Sequence, residues 1–523
     1  MTFTLPFKEP NLLSGGIFKT DIFSRKRLIK VKKKINHSRK EFFVTDLNEA
    51  YAIKEKISVK DINPHYLANL IAVNPSKNIA PYKDIYYLPA SSFITLENSK
   101  VNNIVRYDPF KNGISIKNHN ELFSFFKENF LKNLKKIINE NKEPIACEHS
   151  SGLDSNIIIS SLIKGIGISP DQIYTWSNVS SGEEYFVKKF CSEYKIPESN
   201  RYHIKVPSGF NEFIFHDKEI IKRFGAPTIC NFDLRSIKDL SDSGCNLFFS
   251  GLGGDQALTS FAGNIEIDLI KNIRIKEFIK WNGGLRGSVK SLLFNLVGLS
   301  SLGIANKLIK SFREKIYYHN NYNSLLVNHL TEHSYNLFGK YLKKDKFINI
   351  NFITQKKWIL NNILNDRIYI RAFEEANLSQ SIGMKKEFPM LDENLIETYL
   401  NHCSMIFADK KNNQRFIFRK SFSDFLPQEL VINPDKERIS HIEDIEKFWQ
   451  DVKIWNRQIL QGNINFVLQQ ENLNQFFEVK KLCEKASKIL ELSDVSHYLL
   501  FSYNQSFATL RKISNWFQLI TDS

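Results

Sequence analysis

Six cysteines stand in 523 residues, and none falls in a C-x-x-C or Cys/His ligand spacing. Cys147, Cys191, Cys230, Cys245, Cys403 and Cys483 therefore indicate neither a zinc site nor a disulfide framework, and reduced thiols in a cytoplasmic protein are expected. No G-x-x-x-x-G-K-[ST] string occurs, which removes the lysine-bearing phosphate loop and the expectation of γ-phosphate transfer. Long apolar runs are scarce too. Leu292 to Ile309 is the most apolar long segment, but Asn295, Asn306 and Lys307 interrupt it; it is expected as a buried helix, with membrane contact absent or peripheral. Phe3 to Phe7 is too short for a secretory signal and is broken by Pro6 and Lys8. Acidic residues are outnumbered, 56 against 72 Lys and Arg, for a formal net charge of +16. Abundant Lys, Asn, Ile and Phe reflect an AT-rich coding bias, which lowers the weight of any one basic cluster, although a basic cleft for an anionic substrate is compatible. The run Arg25 to Lys34 has no nucleic-acid recognition motif beside it. It is expected as a strand edge blunted by lysines, with no nucleic-acid partner.

What is present is a small-residue turn, Ser150-Ser151-Gly152-Leu153-Asp154-Ser155, between a short apolar run, Pro144 to Cys147, and a helix-like one, Asn156 to Ile166. Backbone N–H groups at a helix start, Gly152 where an anion must approach, and the hydroxyls of Ser150, Ser151 and Ser155 together suit one anionic group. Asp154 would be repelled by a phosphate unless a divalent cation lay between them, so it is expected to bind magnesium. Capping of a helix is the commoner role for such a string. A second element changes the balance: Phe248-Phe249-Ser250-Gly251-Leu252-Gly253-Gly254-Asp255-Gln256 again runs an apolar strand into a glycine turn and a carboxylate. Two strand-turn-helix units can clamp one Mg²⁺-pyrophosphate at the carboxyl ends of a parallel sheet.

The first loop resembles the SGGxDS pyrophosphate loop of ATP pyrophosphatases, and the second resembles the SGxGxDE segment of asparagine synthetases and their relatives. The likeness extends over about residues 80 to 440. Phe388-Pro389-Met390-Leu391-Asp392 is similar to the family's PFLD, Phe418-Arg419-Lys420 to its LRxA, and Leu426-Pro427-Gln428-Glu429 to its LPxEI. The resemblance implies a doubly wound parallel α/β sheet that binds ATP and Mg²⁺ and forms an adenylate. It places Ser150, Ser151, Gly152, Asp154, Ser155, Gly251 and Gly253 on the nucleotide and pyrophosphate, Asp154 and Asp255 on the metal, and Lys436 in the position of the catalytic lysine. Glu183, opening the helix after the second strand, matches a carboxylate near the nucleotide; a first-turn acidic residue favoured by the helix dipole is an equal alternative.

Departures narrow the resemblance. Thr2 stands where a glutamine-using enzyme has its cysteine, so no glutaminase is expected. Leu252 replaces the proton-transferring Glu or Tyr of the second loop, and Lys385-Lys386-Glu387 replaces the E-x-R ahead of PFLD. Such a set suits a substrate that brings its own amine, and the helix from Glu183 to Tyr194 particularly resembles that of lasso-peptide cyclases. These adenylate an internal Asp or Glu side chain and close a macrolactam on the peptide N-terminus; the implied partners are a ribosomal precursor peptide and a leader peptidase. Another amide ligase of the same family, using ammonia or a small amine, is the alternative, and a non-catalytic relative is disfavoured by the survival of both aspartates and Lys436. The expected organisation is a β-rich amidotransferase remnant over 1–118, a synthetase domain over 119–436 with a helical insertion at 264–348, and a helical extension over 437–523.

Overall fold

The computed structural model describes residues 12–20, 28–35, 38–54, 57–71, 79–106, 116, 118–139, 144–179, 181–205, 217–228, 234–258, 269–270, 273, 275–300, 325–326, 328–338, 366–406, 415–432, 445–493 and 495–521. Strands β1 (Gly16–Thr20), β2 (Ile29–Ile35), β3 (Ser38–Val44), β4 (Ile85–Tyr87), β5 (Ser92–Glu97) and β6 (Lys100–Arg106) form two antiparallel three-stranded sheets, ordered β1-β5-β6 and β3-β2-β4. Strands β7 (Ile145–Glu148), β8 (Ile173–Val179), β9 (Arg201–Lys205), β10 (Leu247–Phe249) and β11 (Lys385–Glu387) form a parallel sheet in the order β11-β10-β7-β8-β9. The protein is thus mixed α/β, with a five-stranded parallel sheet among many helices.

Both faces of that sheet are covered, which is why β7 and β10 read as unbroken apolar runs rather than alternating ones. Ile145, Cys147, Leu247 and Phe249 enter the larger core, while Ala146 and Phe248 pack with Trp176, Ile237 and Leu240 on the opposite face. The helix His119–Asn139 buries Leu122, Phe126, Phe130, Leu134 and Ile138, a stripe at helical spacing. Phe126 and Phe130 meet Phe418 and Phe422 edge-on, fixing the helix Phe416–Ser421 against it.

A second core joins the beginning and end of the described chain. Ile29, Val31, Tyr51 and Tyr82 pack with Leu460, Leu510, Ile513 and Trp516. Trp516 donates its indole N–H to the Tyr82 hydroxyl (2.9 Å), and that hydroxyl donates to the Gly225 carbonyl.

One expectation is corrected. The lysine-rich β2 is the middle strand of its sheet, not an edge: it pairs with both β3 and β4. Alternation puts Ile29 and Val31 inward, while the Lys30 and Lys32 ammonium groups reach Glu41 and the Tyr86 ring. The apolar segment from Leu292 is helical over its described part, to Ser300, and Leu292 itself is exposed; the side chains after it lie outside the described residues. No described helix is long and apolar enough to cross a membrane.

Candidate active site

Sheet order determines where a site can form. From β7 the chain moves to β8 and β9 on one side, then returns to β10 and β11 on the other. The strand order thus reverses between β7 and β10, the position at which open parallel α/β sheets bind ligands beyond the carboxyl ends of their strands. Both motif loops lie at this point. The first joins β7 to the helix Leu153–Ser160; the second leaves β10 and turns into a short helical segment, Gly254–Leu258.

The first loop is held by its own hydroxyls. Ser150 Oγ accepts from Gly152 N–H (3.1 Å) and meets Ser155 Oγ (3.1 Å), and Ser155 Oγ donates to the Gly152 carbonyl (3.1 Å). Asn156, whose role nothing in the local sequence marks, donates its amide to the carbonyls of Ser150 (3.0 Å) and Gly152 (2.7 Å). Its Oδ1 must then accept from His149 Nε2–H (3.1 Å), leaving His149 Nδ1 to accept from the Cys191 thiol (3.6 Å). Burial pushes His149 down to about 3 and Cys191 up to about 11, so the pair stays neutral. His149 thus packs behind the loop and positions Asn156. Ser151 is accommodated because it does not take a positive φ, and Gly152 itself has φ −72°.

The structure brings Asp154 and Asp255 together. Arg415, only 6% exposed, donates Nη1 to Asp154 Oδ1 (3.1 Å) and pairs through Nη2 with Asp255. Burial pushes the Asp154 carboxyl up, against the pull of Arg415 and Arg419. The glycines explain how the loops approach. A β-carbon on Gly251 would lie 3.3 Å from Asp154 Cβ, and one on Gly254 would sit 2.2–2.6 Å from the Asp154 carboxyl atoms. Gly253 has φ +102°, a left-handed conformation suited to glycine, and a β-carbon there would strike Leu391. Leu391 belongs to the Phe388–Asp392 motif, whose Asp392 caps the next helix by accepting from the N–H groups of Asn394 and Leu395 (both 3.0 Å). That motif therefore acts as a support for the second loop.

Two carboxylates that share one cationic partner, Arg415, are a donor set that fits Mg²⁺. This ion takes one or two protein carboxylates and completes its octahedron with phosphate and water oxygens. No group of three or more His, Cys, Asp or Glu residues able to hold a metal occurs among the described residues.

Arg415 and the Lys386 network were missed from sequence. Lys386 Nζ is buried between Glu148 Oε1 (2.6 Å) and Glu375 Oε2 (2.7 Å), over the Phe248 ring, and Ser250 Oγ donates to Glu148 Oε2 (2.5 Å). This network ties together the ends of β7, β10 and β11 beneath both loops. Its sequence signal is a lysine at an inward position of a short strand, and a Glu closing an apolar one. Arg419 donates to the Leu430 carbonyl and so fixes the helix Gln428–Ile432 to the helix before it. A cleft lined by Ser150, Ser151, Asn156, Phe190, Pro427 and Glu429 opens beside the first loop, with a Lys189–Glu429 ion pair at its rim.

Glu183 stands in the first turn of the helix Ser181–Glu193, with its side chain outside the described residues. Lys436 lies outside the described residues altogether, as does Cys230. Cys147, Cys191, Cys245 and Cys483 are buried. No protein-family model matches this chain, and no curated protein does.

Proposed function

We propose that the protein is an ATP-dependent, AMP- and pyrophosphate-forming carbon–nitrogen ligase of the asparagine synthetase-like kind, on a doubly wound sheet. The observation that carries this reading is the convergence of Asp154 and Asp255 at the divergence point between β7 and β10. A kinase-type loop offers a lysine to the terminal phosphates. Here the loops offer hydroxyls, N–H groups and a carboxylate pair, which suits retention and release of a whole pyrophosphate.

In this proposal Ser150, Ser151, Gly152 and Ser155, with Gly251 and Gly253, cradle the polyphosphate, and Asp154 and Asp255 hold Mg²⁺. The metal, when bound, neutralises charge on the pyrophosphate leaving group. A substrate carboxylate attacks the α-phosphorus, giving an acyl-adenylate and pyrophosphate. An amine then attacks the acyl carbon and AMP departs with the bonding electrons. Lys436 is proposed to stabilise the negative charge that develops on the carbonyl oxygen, and Glu183 to stand near the nucleotide.

We favour a peptide as the substrate. Leu252 occupies the second loop and cannot transfer a proton, and it is buried. The acceptor would then be the α-amine of a ribosomal precursor peptide freed by a leader peptidase, and the product a lasso-type macrolactam made in the cytoplasm. The test is incubation with Mg-ATP and synthetic peptides carrying a free N-terminus and an internal Asp or Glu. Expected are AMP, pyrophosphate and a peptide lighter by one water. ADP and orthophosphate would reject the ligase reading; amide formation only with added ammonia would favour the small-amine alternative.

A further inference from the structure

We infer that Arg415 is a phosphate ligand held in reserve on the metal carboxylates. Before nucleotide arrives its guanidinium pairs with both Asp154 and Asp255; when Mg²⁺ enters with a polyphosphate, the metal takes the carboxylates and the guanidinium passes to phosphate oxygens. This rests on the two-loop reading above and goes beyond it by adding a ligand and an order of binding.

Three observations carry the inference. Arg415 contacts both carboxylates at once, one through each terminal nitrogen, so it occupies the place where a shared divalent cation must approach. Its side chain is 6% exposed, and a guanidinium keeps its charge at any ordinary pH. A buried permanent cation that loses its anionic partner is strongly unfavourable, so release of the aspartates to a metal requires another anion at the same place. Phosphate meets this need with the bidentate geometry that guanidinium favours. Third, Arg415 holds φ +59°, ψ +33°, a left-handed conformation rare for a side-chain-bearing residue, immediately before the helix Phe416–Ser421. The chain thus accepts local strain to bring this side chain onto the carboxylates.

Charge accounting gives the order. Two aspartates and one arginine leave a single negative charge, too little to hold Mg²⁺ while the arginine remains. Mg²⁺ carried by pyrophosphate brings its own anion for the displaced guanidinium. Metal alone therefore binds poorly and metal with polyphosphate binds well.

The probes are Mn²⁺ alone, followed by electron paramagnetic resonance, and Mg-pyrophosphate, followed by calorimetry. Removing one charged partner is expected to change each affinity about tenfold or more. Arg415→Met should bind Mn²⁺ alone more tightly and Mg-pyrophosphate more weakly, and Arg415→Lys should recover part of both. In the unaltered protein, pyrophosphate should raise Mn²⁺ affinity beyond what formation of the Mn-pyrophosphate complex in solution explains, a readout that needs no variant to fold. Unchanged or weaker Mn²⁺ binding in a folded Arg415→Met protein, or the lack of that synergy, overturns the exchange while leaving the nucleotide site standing. Failure of the unaltered protein to bind Mg-pyrophosphate at all overturns both readings.

Discussion

Gly254 lies directly against Asp154: a β-carbon added at Gly254 would fall 2.2 Å from Asp154 Cγ and 2.3 Å from its Oδ2. The second loop can close over the first carboxylate because nothing projects from this residue. The two aspartates are therefore brought together by an absence of side chain as much as by the attraction of Arg415.

Gly254→Ala should weaken Mg-pyrophosphate binding at least tenfold and cost about 1–3 kcal/mol of stability, the usual range for overpacking. Gly462, inside the helix Ile445–Leu468 with no atom within 4 Å of an added β-carbon, is the control. Gly462→Ala should stabilise by about 0.5–1 kcal/mol without touching ligand affinity. Calorimetry and urea unfolding read both; normal affinity in the Gly254 variant would show that the loops do not need this contact.

Asp154→Asn and Asp255→Asn preserve shape and remove charge. Each is expected to lower Mg-ATP affinity by about 10- to 100-fold, the worth of a charged partner. Calorimetry with and without magnesium separates loss of the metal from loss of the nucleotide, and undiminished magnesium dependence in either variant would place the metal elsewhere.

His149 gives the fold a pH dependence of definite sign. Burial lowers it from 6.5 to about 3, so the unfolded chain takes up a proton that the folded one refuses. Stability is full above about pH 6.5 and declines below it with a slope of about 1.4 kcal/mol per unit until the folded group also titrates. Urea midpoints at pH 5 and pH 7 should differ by less in His149→Gln than in the unaltered chain. An equal difference in the two proteins would assign the effect to other groups.

Lys386→Met should be costly, because Glu148 and Glu375 would lose the ammonium between them. About 3–5 kcal/mol is expected, and Lys386→Met combined with Glu375→Leu should recover part of it. Burial alone would raise Glu375, but Lys386 and Arg371 outweigh it and hold its carboxyl below the usual 4.5. The stability from this pairing is therefore present above about pH 4.5 and lost as pH falls below it. Urea unfolding at pH 7 measures the first effect; a loss below 1 kcal/mol would mean the network is dispensable.

Much of the parallel sheet and of the first loop was legible in the sequence. Apolar runs bounded by small residues placed β7 and β10 to within a residue or two, since a doubly covered strand needs an unbroken apolar stretch. Hydroxyl, glycine and aspartate spacing marked both loops for the same reason: the chemistry of anion binding is local. The lysines of β2 misled because composition reports that a strand is half exposed, not whether it has one neighbour or two.

The sequence by itself determined the local elements and the residues able to touch an anion or a metal. Tertiary structure alone decided which of them meet. Asp154 and Asp255 converge because β10 returns beside β7 rather than continuing past β9, an outcome of sheet order that no window of sequence contains. Arg415 and Lys386 became part of the site in the same way: a charge's role depends on which other charges the folded chain buries beside it, and their partners stand far away along the chain. Periodicity records burial along one element, whereas ion pairing across elements is set by distance in space.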